Sequence, residues 1–222
     1  MTPRRVALVK VLIWVACLAP LALLVLRVNG VWQLSLGANP VEEVLNVCGK
    51  TALNLLLLTL CITPVRRSTG FNRLIAFRRL LGLFSFFYLV LHFLVYLFLD
   101  RAMEWSTIVD DIAERPYITV GFAALLMMIP LAATSTNALQ RRLGRNWARL
   151  HRLVYPIAVL GVVHFWWQVK LDVAEPLLYA FLLAVLLGVR FRHWREIEKK
   201  RRRASVDAKA SMAPTYQRVE PP

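Results

Sequence analysis

Carboxylates are scarce in this chain. Only 13 of its 222 residues are Asp or Glu, against 28 Lys and Arg, and the charged share is 18%. A soluble domain carries about a quarter charged residues, so the composition argues against one. Cysteine is as thin. Cys17, Cys48 and Cys61 are the three, and their spacing suits neither a metal site nor a redox pair. They read as small apolar side chains, with Cys48 near the exported face and open to reaction. No CxxCH is present to attach a haem through thioethers. Low hydrophobicity, the mark of disorder, is also missing. The chain is 58% hydrophobic with a mean hydropathy of +0.54. Its net charge of +15 on so apolar a chain argues against a nucleic-acid partner. No repeat of 20 to 50 residues is evident.

Long apolar runs are what the chain does have. A helix needs about 20 mostly apolar residues to cross a bilayer core. Six segments qualify: 9–28, 40–65, 80–99, 117–133, 150–169 and 173–189. The second is the most interrupted, by Asn46, Cys48, Gly49 and Lys50, with Lys50 placed to snorkel to an interface. Asn39 and Pro40 before it suit a cap and a first helical turn. The apolar stretch of the first segment is too long for a signal peptide, and no small-residue cleavage site follows it before Arg27, so it reads as an uncleaved span. Residues 1–203 form one membrane domain on this reading, and 204–222 form a polar cytoplasmic tail without fixed structure.

The basic residues then report orientation. Arg4, Arg5 and Lys10 precede the first span; Arg66, Arg67, Arg73, Arg78 and Arg79 follow the second; Arg141, Arg142, Arg145, Arg149 and Arg152 lie around the fourth loop. Ten more follow the sixth span, so 23 of 28 fall on one side, while nine of the 13 acids fall on the other. Lys and Arg mark the cytoplasmic side. Both termini are therefore expected in the cytoplasm, which agrees with an even number of spans. The run 190–203 reads as a juxtamembrane segment drawn to anionic lipid.

Four histidines complete the chemistry. His193 lies in that basic run, whereas His92, His151 and His164 fall within or at the edge of apolar spans, where an ionisable group is costly and marks function. The structural alternative is a helix–helix hydrogen bond. At 1.5 Å per residue, His92 stands roughly 18 Å above the start of its span and His164 roughly 21 Å above the start of its own. Two imidazoles at one depth on neighbouring helices could be axial ligands of a haem. His151 lies about 19 Å below His164, too far to share that iron. Counting 13 residues back from His92 gives Arg79. The lower level thus offers His151 with Arg78 and Arg79, which suits haem propionates, a flavin phosphate or a quinone head. Pro156 is expected to kink the fifth span. Phe84, Phe86, Phe87, Tyr88, Phe93, Tyr96 and Phe98 crowd the third, as a porphyrin wall or as a lipid face. Trp166, Trp167 and Lys170 read as an outer interfacial anchor.

A resemblance to a known family rests on a series of stretches in one order. They are 36–42 (LGANPVE), 62–64 (ITP), 78–83 (RRLLGL), His92, 115–121 (RPYITVG), 134–136 (TST), 141–144 (RRLG), Trp147, 150–155 (LHRLVY), His164 and 169–170. Together they resemble the bacterial MsrQ (YedZ) family. The resemblance covers roughly residues 30–192 and implies a ferric-reductase-like transmembrane domain that binds haem b and FMN. It implies a bacterial inner-membrane subunit that passes quinol electrons to a periplasmic molybdopterin partner, MsrP, which reduces methionine sulfoxide in oxidised envelope proteins. A cytosolic flavin reductase is a second donor that stays open. Relatives of the ferric-reductase class carry two histidines on each of two helices, whereas Arg79 stands near the place of one here. A second haem, with His151 as a ligand, therefore stays open, as does a role for His151 at the flavin.

The combined expectation is an all-α, polytopic bundle of six transmembrane helices, embedded in lipid, that relays electrons outward. His92 and His164 are the expected haem b ligands; His151, Arg78 and Arg79 mark a cytoplasmic-side cofactor site. A partner would dock on the outer segments 36–43 and 100–115 and perform the substrate reduction. Two rivals remain: a proton-coupled transporter using the three histidines, and a non-catalytic assembly subunit whose histidines only join helices. The spans hold no acidic residue beyond Glu42 and Glu43 at an edge, which weighs against the first.

Overall fold

The computed structural model describes residues 3–31, 36–169 and 173–211. Among them every regular element is helical. In chain order these are α1 (Pro3–Val28), α2 (Pro40–Thr69), α3 (Ile75–Val95), α4 (Trp105–Glu114), α5 (Pro116–Ala133), α6 (Asn137–Leu143), α7 (Arg145–Leu150), α8 (Val154–Gln168) and α9 (Ala174–Ser211). A wide π turn, Tyr96–Asp100, extends α3, and a 3₁₀ turn, His151–Leu153, precedes α8. The start of α2 follows its sequence: Asn39 accepts the Glu42 N–H, Pro40 opens the first turn, and Gly70 closes the helix at φ +70°.

Five described helices are long and apolar enough to cross a membrane: Val6–Val28, Pro40–Thr69, Asn72–Asp100, Pro116–Ala133 and Ala174–Ser205. The expected fifth span is the one that falls short. α8 is a 15-residue helix, because the chain between Leu150 and Val154 tightens into the 3₁₀ turn instead of continuing as one helix. Pro156 consequently sits in the first turn of α8, where its missing N–H costs nothing, and not at a mid-helix kink. At the other end α9 runs to Ser211, into the segment 204–222 expected as the tail. Residues 212–222 and Lys170 lie outside the described residues.

The most interrupted span is the central one. Half (50%) of the apolar window of α2 is buried in the protein, against 11% for the first and last spans. A helix surrounded by protein needs less hydrophobicity than one facing lipid, which accounts for the polar residues in its first half. Leu53, Leu57 and Leu60 of α2 pack into one core with Ala124 and Met128 of α5, Ile157, Ala158 and Val162 of α8, and Leu183 of α9. Ala52 and Leu55, on another face, pack with Cys17 of α1 and Phe84 and Tyr88 of α3. Lys50 ends near the start of α9, where Nζ meets Glu175 Oε2 at 2.5 Å and lies 5.6 Å from the Phe165 ring centre. Its charge is thus paired across the bundle.

Tyr88 ties α1 to α3. Its hydroxyl donates to Cys17 O at 2.7 Å and accepts from Leu21 N–H at 3.2 Å. It thereby stands between a donor and an acceptor that an uninterrupted helix would join directly, one residue after Pro20 has broken the ladder. Cys48 is wholly buried (0% exposed), which removes the expected reactivity at the exported face; all three cysteines are free thiols.

Candidate functional site

α3 and α8 carry His92 and His164 to opposite walls of one cavity of about 580 Å³. That volume falls within the range of small-molecule and cofactor sites. The imidazole centres stand 6.0 Å apart with ring planes at 85°. Depth arithmetic placed the two at one level, and the helices bring them within reach of one another with their planes crossed.

Each ring is held the same way. His92 Nδ1 lies 3.0 Å from Leu45 O on α2, and His164 Nδ1 lies 2.7 Å from Tyr117 O on α5. A carbonyl oxygen can only accept, so each Nδ1 carries the proton and each Nε2 presents a lone pair. This is how metal-binding imidazoles are commonly prepared, with the distal ring nitrogen oriented by a second hydrogen bond. Glycine makes the approach possible. A Cβ on Gly49 would stand 3.1 Å from His92 Nδ1, and one on Gly121 only 2.7 Å from His164 Nδ1. Each glycine lies four residues after the accepting carbonyl, so the ring nests in the groove of the neighbouring helix.

The two halves are related by a constant offset. Leu45, Gly49 and His92 recur 72 residues later as Tyr117, Gly121 and His164, and Arg79 recurs as His151. The pair α2–α3 and the pair α5–α8 are therefore two versions of one device, facing each other across the cavity. Neither glycine was legible as a site residue, and Gly49 reads in the sequence as an interruption of the span. The offset, longer than a solenoid repeat, was the available signal.

The pair fits a six-coordinate haem iron. A metal–imidazole bond is about 2 Å and each ring centre lies about 1 Å behind its nitrogen, so two axial imidazoles need centres about 6 Å apart. The observed 6.0 Å meets that need. Of the aromatic residues crowding α3 and its π turn, Phe93 and Tyr96 line the cavity; Phe122, Tyr117, Phe165 and Trp167 join them from other helices. Phe84 and Tyr88 instead serve the packing against α1.

At the mouth of the cavity a buried carboxylate organises the cations. Asp111 is 4% exposed and pairs through Oδ2 with Arg101 Nε at 2.5 Å and through Oδ1 with Arg115 Nε at 2.9 Å. The Tyr96 hydroxyl donates to the same Oδ2 at 3.0 Å. Arg115 is held in its charged form more firmly than usual by its contact with Tyr117 and by the Asp111 charge. Arg101 also meets Asp100 Oδ2 at 3.4 Å, so the two guanidinium groups that reach the cavity stand against two carboxylates.

The remaining candidates lie elsewhere. His151 is in the 3₁₀ turn, stacked on Trp147 at 3.9 Å, with Nδ1 3.1 Å from Trp147 O. Its Nε2 is buried without a hydrogen-bond partner. Arg78 lies within electrostatic range of His151, whereas Arg79 is exposed and donates to Asn137 Oδ1 on α6 at 2.6 Å. So Arg79 is engaged with α6 and not with His151. No group of three or more His, Cys, Asp or Glu among the described residues could hold a bare metal ion.

Comparison with known proteins agrees with this architecture. Residues 48–162 match the family described as ferric reductase like transmembrane component. A protein of Xanthomonas oryzae pv. oryzae, the haem-binding subunit MsrQ of a protein-methionine-sulfoxide reductase, is 50% identical over 96% of this chain and 98% of its own. Its namesake from Xanthomonas axonopodis pv. citri is 52% identical over 90% of this chain and 92% of its own, and that of Ralstonia nicotianae 52% over 85% and 87%. With the family match running from α2 into α8, and half of all positions shared across most of its length, the chain belongs to the MsrQ family of membrane proteins.

Proposed function

We propose that this chain is the membrane electron-transfer subunit of a methionine sulfoxide reductase system, with one haem b held between His92 and His164. The opposed pair of Nδ1-anchored imidazoles carries the reading. When bound, the haem iron would alternate between ferric and ferrous states and pass one electron at a time. The protein's part is to fix both Nε2 lone pairs, through Leu45 O and Tyr117 O, and to exclude bulk water with the apolar walls of the cavity. Neither histidine needs to move a proton, since each Nδ1–H stays on its carbonyl in either redox state.

The six spans on this reading include α8, shorter than the rest, and put both termini in the cytoplasm of a bacterial inner membrane. The cavity then lies in the outer half, and its mouth opens toward a periplasmic molybdopterin partner of the MsrP kind. Electrons arrive from quinol or a cytosolic flavin reductase, with FMN as the flavin on the inner side, where His151 and Arg78 stand. His151 is a residue of that inner site and, on this reading, no ligand of the outer iron.

Purification of the full chain from membranes grown with haem supply, followed by an absorbance spectrum, tests the proposal. A reduced b-type spectrum is expected at one haem per chain. It should vanish in both His92→Ala and His164→Ala and persist in His151→Ala. Colourless protein, or full haem in both single variants, would overturn it and leave the transporter or assembly reading.

A further inference from the structure

The offset of 72 residues reaches beyond the histidines and their glycines. Ala52, Leu53 and Phe93 line the cavity, and so do Ala124, Leu125 and Phe165, each 72 positions further on. Depth is kept as well as residue type. Tyr96 and Gln168, each four residues after its histidine, line the cavity toward the mouth; Ser85 and Ile157, each seven residues before, line it toward the buried floor. A half-turn that exchanges His92 with His164 and leaves the mouth in place therefore maps one half of the lining onto the other. Its axis runs from mouth to floor, across the line that joins the two imidazoles.

The two ends of that axis differ in polarity. Asn39, Glu42, Asp100, Arg101 and Arg115 stand at the mouth, whereas Leu53, Leu56, Leu125, Met128 and Ile157 surround the floor. Ser85 at the floor already donates to Ala52 O at 2.8 Å. A carboxylate is costly to bury among such groups, so the propionate edge of a haem belongs at the mouth. Haem b has a near-symmetry of its own. A half-turn about the in-plane line from its propionate edge to its apolar edge exchanges its faces and alters only the order of methyl and vinyl groups. Since His92 and His164 would bind opposite faces, the axis of the cavity falls in the porphyrin plane and meets this line. We propose that the cavity fixes which edge of haem b faces the mouth but not which face meets His92, so that both face-inverted orientations are populated. The proposal rests on the haem reading above and adds an orientation to it. Leu89 and Gly161 are the sharpest break in the symmetry. Each lies three residues before its histidine, on the same side of its helix. The leucine fills its side, while a Cβ on the glycine would stand 3.4 Å from Leu53 Cδ1. A vinyl exceeds a methyl by one carbon, and burying one more carbon shifts an equilibrium about fourfold. The minor orientation then holds about a fifth of the haem.

Proton magnetic resonance of the ferric full chain in detergent reads the orientations, because each gives its own set of shifted ring-methyl signals. The chain is produced without haem supply and loaded with iron protoporphyrin IX, or with iron protoporphyrin III, whose methyl and vinyl groups are symmetric about the same in-plane line. Two methyl sets are expected from the first, in a ratio of about fourfold, and one set from the second. Leu89→Ala should bring the ratio nearer to equal, with Leu89→Val in its place if haem is lost. Leu94→Ala, at an exposed position of the same helix, should leave the ratio as it is. A single set from protoporphyrin IX overturns the proposal. So do two sets from protoporphyrin III, since the doubling would then lie in the protein. A ratio moved as far by Leu94→Ala as by Leu89→Ala overturns the part given to Leu89. The absorbance spectrum of the same samples separates the two readings. A b-type spectrum with one methyl set refutes the orientation alone, whereas no such spectrum with either porphyrin refutes the haem reading with it.

Discussion

The Cβ that Gly121 lacks would stand 2.7 Å from Nδ1 of His164 and 2.9 Å from its Cε1. No side chain approaches a ring so closely, and the ring cannot retreat without leaving Tyr117 O. On the other wall the same atom on Gly49 would stand 3.1 Å from His92 Nδ1, a contact that a few tenths of an ångström relieve. One device is therefore built at two tolerances.

That difference predicts unequal alanine variants. Overpacking a tight site costs about 1–3 kcal/mol, while replacing a helical glycine by alanine recovers about 1 kcal/mol. The terms nearly cancel for Gly49→Ala, which should keep its haem and melting temperature. For Gly121→Ala the clash dominates, and haem content should fall at least several-fold. Haem-to-protein ratio and thermal melting in detergent measure both. A Gly121→Ala protein with wild-type haem would show that the ring is free to move.

The histidine pairing was legible because depth in a membrane span is simple arithmetic, and α3 and α8 obey it. The glycines were not, since a glycine inside an apolar run reads as a defect until the ring it accommodates is seen. The partner of Lys50 was hidden for a related reason. Glu175 is 125 residues away on α9, and no local pattern announces such a pair. The short α8 was hidden too: the apolar run from 150 to 169 continues through the 3₁₀ turn, and hydropathy does not register a change of helical pitch. Tyr88 was counted among ring-wall candidates, although its function in the fold follows from Pro20, 68 positions earlier.

Removing the Tyr88 hydroxyl tests that function. Tyr88→Phe leaves Cys17 O and Leu21 N–H without their bridging partner in an otherwise buried place. Leaving such groups unmade costs about 1–3 kcal/mol. A lower melting temperature is expected, together with faster hydrogen exchange at the Leu21 amide. The haem ratio should be unchanged, because α1 contributes nothing to the cavity. Unaltered exchange at Leu21 would mean that the helix simply closes its own bond.

Asp111 offers a sharper contrast. It is the carboxylate on which Arg101, Arg115 and Tyr96 converge. Its neighbour Asp110 is exposed. Losing one partner of a buried ion pair costs about 3 kcal/mol or more, so Asp111→Ala should lower the melting temperature markedly and Asp110→Ala should leave it nearly unchanged. With Asp111 gone, Arg115 loses its paired carboxylate and Arg101 keeps only Asp100. A less stable Asp110→Ala than Asp111→Ala would place the organising charge elsewhere.

The angle between the two imidazoles has a spectroscopic consequence of its own. Their planes stand at 85°, and each plane is fixed by a backbone carbonyl instead of a mobile side chain. If these two rings hold the haem as proposed, the carbonyl bonds would keep their planes crossed when it binds. Perpendicular imidazoles leave the two iron orbitals that overlap them nearly equal in energy, whereas parallel ones split them. The ferric protein should therefore give a strongly anisotropic low-spin paramagnetic resonance signal, with one large g value and the others broadened. Gly121→Ala, if it retains any haem, should turn the His164 ring and move that signal toward the ordinary rhombic pattern. A rhombic spectrum in the wild type would mean that one ring leaves its carbonyl when iron binds. Substituting Tyr117 could not diagnose this, because the acceptor is its backbone oxygen and not its side chain. The resonance line shape is thus the direct reading of whether the two glycine grooves hold their histidines crossed.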